Sequence, residues 1–74
     1  METSIFNPLI EHFGEKTPRI GDLFLLCSQT NNKELFLSAL LVLTSMLKKI
    51  NSDVHTEKKI KILLMLDQRI KEFN

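Results

Sequence analysis

The chain is poor in the residues that small proteins use as staples and reactive groups. It has one cysteine, two glycines, two prolines, and no tryptophan or tyrosine among 74 residues. A single thiol cannot form an internal disulfide, so Cys27 is expected as a buried, reduced core residue and the cytoplasm as the compartment. The glycines stand alone at 14 and 21, which excludes a phosphate-cradling loop. So few glycines and prolines, with 43% hydrophobic and 26% charged residues, exclude a disordered chain as well. Long apolar runs are also missing. The most apolar span, Leu35 to Leu47, covers 13 residues, where a bilayer crossing takes about 20. No membrane span is expected, and the acidic start Met1-Glu2-Thr3-Ser4, with Asn7-Pro8 close behind, gives no targeting segment.

Groups able to carry chemistry are sparse. His12 and His55 are the only histidines, and neither has a second histidine at the i+3 or i+4 spacing of a helical metal site. Glu11 adjoins His12, but neighbours on a helix diverge by about 100° and cannot chelate together. Cys27 has no glycine-rich turn to present it as a nucleophile. The acids stand singly, without a paired carboxylate, so no catalytic residue, metal or cofactor is expected and the chain reads as a non-enzyme. Net charge is only +1, with five acids against three bases in residues 1–34 and seven bases against four acids in 35–74. The basic excess collects at Lys48, Lys49, Lys58, Lys59 and Lys61, with arginine only at 19 and 69. A nucleic-acid reader has a stronger basic footprint with aromatics interleaved, so a nucleic-acid partner is disfavoured.

What the chain does hold is helical punctuation and leucine. Asn7-Pro8 predicts an N-cap with proline at the first helical position, and Gly14 a stop, bracketing a short helix over Pro8–Phe13. Thr17-Pro18 repeats the signal for a helix to about Ser28, with Ile20, Leu23, Phe24 and Cys27 on one face. Gln29-Thr30-Asn31-Asn32 breaks the period and caps a third helix over Glu34–Asn51, and Asn51-Ser52-Asp53 opens a fourth over Asp53–Phe73. So short a connection makes the last two antiparallel neighbours. The expected fold is a single all-α domain, two short N-terminal helices packed on a long C-terminal antiparallel hairpin.

The long helices carry more apolar surface than one stripe can use. In the third, Leu35, Phe36, Ala39, Leu40, Val42, Leu43, Met46, Leu47 and Ile50 form a wide stripe, while Leu37 and Leu41 fall on the opposite, otherwise polar side. In the fourth, Ile60, Ile62, Leu63, Leu66, Ile70 and Phe73 make the stripe, and Leu64 and Met65 lie outside it. Folding the hairpin about residue 52 sets Leu64 and Met65 level with Leu40 and Ala39, which predicts an apolar belt at mid-hairpin. Either the N-terminal helices cover that belt, with Leu25 and Leu26 among the covering residues, or part of it meets another chain. The lysines at 48, 49, 58, 59 and 61 would form a polar rim.

Asn31-Asn32-Lys33, Leu37-Ser38, the leucines at 40 and 43 and the Asp53-Val54 step, preceded by His12-Phe13 and Ile20-Gly21-Asp22, resemble the YmgB/AriR family of small enterobacterial helical proteins. Those proteins are two-component connectors and biofilm or acid-stress regulators. The resemblance implies a helical, dimer-forming cytoplasmic regulator without enzymatic activity, and assigns no functional residue. The expectation is therefore a protein–protein interaction module that works as a homodimer or on a partner protein through Leu37, Leu41, Leu64 and Met65. The alternative is a weak nucleic-acid-binding regulator that uses the lysine-rich hairpin end.

Overall fold

Helix boundaries follow the polar residues that satisfy the first and last backbone groups. The computed structural model describes residues 5–50 and 56–73, which form α1 (Asn7–Phe13), α2 (Ile20–Gln29), α3 (Lys33–Lys48) and α4 (Thr56–Phe73). No strand occurs among the described residues, and the all-α architecture holds. The expected Asn51-Ser52-Asp53 cap and His55 lie outside the described residues. In α1 the cap position is Phe6 rather than Asn7, and Pro8 still falls in the first turn, where its missing N–H leaves no bond unmade. Gly14 stops the helix with φ 65° and donates its N–H to the Ile10 carbonyl at 2.8 Å.

α2 opens two residues later than Thr17-Pro18 predicts, and Asp22 is the reason. Its carboxylate accepts the Arg19 N–H at 3.0 Å, fixing Arg19 at the cap in extended conformation. Asn32 caps α3 as expected, its side chain accepting the Leu35 N–H at 3.2 Å. α3 ends at Lys48, short of the predicted Asn51, because the chain tightens there: Lys49 and Ile50 donate to the Met46 and Leu47 carbonyls, each at 3.2 Å.

The helices pack around α3. The Phe36 and Phe73 rings lie 4.8 Å apart at one end, while Leu47 and Ile50 meet Lys59 and Ile62 at the other, so α3 and α4 are antiparallel. That pairing sets Leu66 level with Leu43, and both are buried. It also corrects the expected register: Leu64 and Met65 come level with Ser45 and Thr44, as α3 ends early, at Lys48, and α4 begins late, at Thr56. α2 runs antiparallel to α3, with Ile20 at the Leu47 end and Cys27 and Thr30 at the Arg69 end. α4 therefore lies along the seam between α2 and α3. α1 flanks α3 on its other side, where Ser38, 1% exposed, donates its hydroxyl to the Ile5 carbonyl. The buried core is Leu9, Leu23, Leu26, Cys27, Phe36, Ala39, Leu43, Leu47 and Leu66.

Candidate interaction surface

Arg69 decides how α4 turns about its own axis. Its Nε donates to the Cys27 carbonyl at 3.1 Å, one terminal nitrogen donates to the Thr30 carbonyl and the other to Glu72 at 2.7 Å. The guanidinium carbon also sits 5.1 Å from the centre of the Phe73 ring. A planar cation thus closes the C-terminal end of α2, where carbonyls are unsatisfied and the helix dipole is negative. Ile62, Met65, Leu66 and Phe73 share Arg69's side of the helix and face inward with it.

That rotation corrects the predicted stripe of α4. Ile60, Leu63 and Ile70 point out, along with Leu64, which is 65% exposed. Met65, expected outside the stripe, is half-buried against the core. On a helical wheel Ile70, Leu63, Ile60 and Leu64 form one arc, interrupted by Asp67 and Lys71, which pair with each other at 3.2 Å.

α3 follows the sequence reading closely. Every residue of its predicted stripe is buried or half-buried, and Leu37 and Leu41 stand out at 42% and 45% exposure. Going round each helix past its contact with the other, the next positions are Thr44, Leu37 and Leu41 on α3, and Ile70, Leu63, Ile60 and Leu64 on α4. Both arcs open on the same side of the antiparallel pair. The two short helices do not reach this side. α1 lies on the opposite flank of α3, and Leu25, expected to help cover the belt, is itself 55% exposed on α2.

The five lysines do not act alike. Lys48, Lys49, Lys58 and Lys61 are exposed, whereas Lys59 is half-buried and donates its ammonium to the Ile50 carbonyl at 3.1 Å. Lys58 and Lys59 border an apolar cleft of about 310 Å³ walled by Ile20, Leu47, Ile50 and Ile62. His12 stacks edge-on against Phe13 at 4.8 Å. Among the described residues, no group of three histidine, cysteine, aspartate or glutamate side chains is placed to hold a metal ion. Cys27 is fully buried, and burial pushes its thiol up to about 11 despite the opposing pull of Arg69. A thiol so held carries almost no thiolate at neutral pH. Among the described residues no helix is long and apolar enough to cross a membrane.

Compared with protein-family models, with curated proteins and with solved structures, the chain gives no match to any of the three.

Proposed function

We propose that the protein is a small non-enzymatic interaction module, a regulator or adaptor, that docks another polypeptide on the outer face of α3 and α4. One observation carries the reading: six large aliphatic side chains, Leu37, Leu41, Ile60, Leu63, Leu64 and Ile70, are exposed on one side of two adjoining helices. Scattered apolar residues are normal on a protein surface, but a contiguous group rimmed by charge is how helical contact surfaces are built. Lys48, two turns along α3 from Leu41, supplies part of that rim, whereas Lys58 borders the cleft on the α2 side and Met65 packs against the core. The resemblance to the YmgB/AriR regulators points the same way.

Photo-crosslinking in the source cell tests this reading. A photoreactive amino acid at position 41 should yield a protein adduct, and the same group at position 25, more exposed but on another helix, should not. No adduct from position 41, or equal adducts from both, would overturn the proposal. Nucleic-acid binding through the lysine-rich end is the competing outcome. It would appear as low-salt binding of a labelled oligonucleotide that weakens steeply as salt is added.

A further inference from the structure

We infer that the cleft where the start of α2, the end of α3 and the start of α4 meet is a binding site for a small aliphatic carboxylate of about eight carbons. The site is separate from the outer face of α3 and α4, and it stands whether or not that face docks a partner. Its walls are apolar: Ile20, Leu47, Ile50 and Ile62 line it, and Lys58 and Lys59 are the remaining lining residues. Leu47 is buried at its floor, and the three isoleucines are half-buried, so they keep apolar surface that the fold leaves uncovered. At about 30 Å³ for each water-sized group, the 310 Å³ of the cleft holds roughly ten, which is the number of carbon and oxygen atoms in octanoate.

Charge then selects the head group. Lys59 Nζ donates to the Ile50 carbonyl at 3.1 Å, which fixes the ammonium beside one wall of the cleft and leaves two of its three protons for a ligand. Neither Lys58 nor Lys59 forms an ion pair with another described residue. Lys48, Lys49 and Lys61 lie on the same ends of α3 and α4, where the only described acid is Glu57. Asp22 comes nearest on α2, but it stands about 200° round the helix from Ile20 and its carboxylate accepts the Arg19 N–H. A carboxylate entering the cleft therefore meets charge of the opposite sign, and an ammonium is repelled. Apolar walls take the chain, and a few placed polar groups take the head, which is how small-molecule sites are composed.

The test is a titration of the full chain with octanoate, kept below its micelle concentration and read from backbone amide shifts by NMR. The amides of Ile20, Leu47, Ile50 and Ile62 should shift saturably, with a dissociation constant of about 1 mM or lower. Affinity should fall about fourfold for each methylene removed on going to hexanoate. Octanol and octylammonium should bind about tenfold more weakly than octanoate. Lys58→Gln/Lys59→Gln should lower octanoate affinity about tenfold and leave octanol binding unchanged, a split that a merely structural loss would not produce. Should circular dichroism show that the double variant has lost helicity, Lys58→Gln alone, on an exposed side chain, should still give part of the loss.

No saturable shift at the four wall residues, octylammonium binding as tightly as octanoate, or an affinity indifferent to chain length overturns the inference. So do equal shifts at Leu37, Leu41 and Leu63, which would make octanoate a ligand of exposed apolar surface in general. Vesicles of an anionic phospholipid are the last arm. Wall shifts with vesicles while octanoate is inert would mark a membrane surface as the source of the anionic chain, and would overturn a site for the free carboxylate.

Discussion

α3 and α4 are of similar length, 16 and 18 residues, and both carry apolar residues beyond a single stripe, yet the fold uses them differently. α3 buries Phe36, Ser38, Ala39, Leu43 and Leu47, because α1, α2 and α4 surround it on three sides. α4 buries only Leu66, because it is laid along one seam. Apolar content does not separate the two helices; the number of neighbours does. The surplus gathers where the fourth side of α3 adjoins the outer side of α4, and that location is why it reads as a contact surface rather than as scattered leucines.

Substitutions in matched pairs can break this comparison. Leu43→Ala removes a fully buried side chain of α3 and should cost about 2–5 kcal/mol in urea unfolding. Leu64→Ala, on the outer side of α4, should change monomer stability by less than about 0.5 kcal/mol. Comparable losses would mean that the outer side of α4 is core after all.

The attachment of α4 can be tested at one residue. Arg69→Ala strips the donors from the end of α2 and from Glu72, and should cost about 2 kcal/mol in the same measurement. Arg69→Lys keeps the charge but not the planar fork, and should recover only part of that loss. A smaller effect is expected where α1 joins α3. Ser38→Ala leaves the Ile5 carbonyl without its buried donor and should cost about 1 kcal/mol.

A further effect is a pH dependence. The Cys27 thiol is pushed from about 9 to about 11 in the folded chain, so between those values the unfolded chain gives up its proton while the folded chain keeps it. Stability should therefore fall as pH rises through that window, by at most about 1.4 kcal/mol per pH unit. Cys27→Ala should flatten this part of the curve, and an unchanged slope would show that another group is responsible.

Much of the architecture was legible because α3 obeys a simple period. Leu35 through Ile50 separate cleanly into inner and outer sets, and Leu37 and Leu41 stand out as misfits from sequence alone. α4 was read less well because its apolar residues cover two arcs, so periodicity cannot choose between them. The choice is made by Arg69, a charged residue that turns inward to meet carbonyls on a helix some 40 positions earlier in the chain. No local pattern announces such a partner. The late start of α2 was readable in principle, since Asp22 stands three residues after Arg19, the spacing of an acid that reaches back to its cap. The register of the hairpin depended on where α3 ends, and helix ends are weakly encoded when lysines and isoleucine continue the pattern past the last turn.

The most direct measurement is photo-crosslinking in the source cell from a photoreactive amino acid at position 41, beside the same group at position 25. The account predicts a protein adduct from position 41 and none from position 25. No adduct from position 41, or equal adducts from both positions, would contradict it.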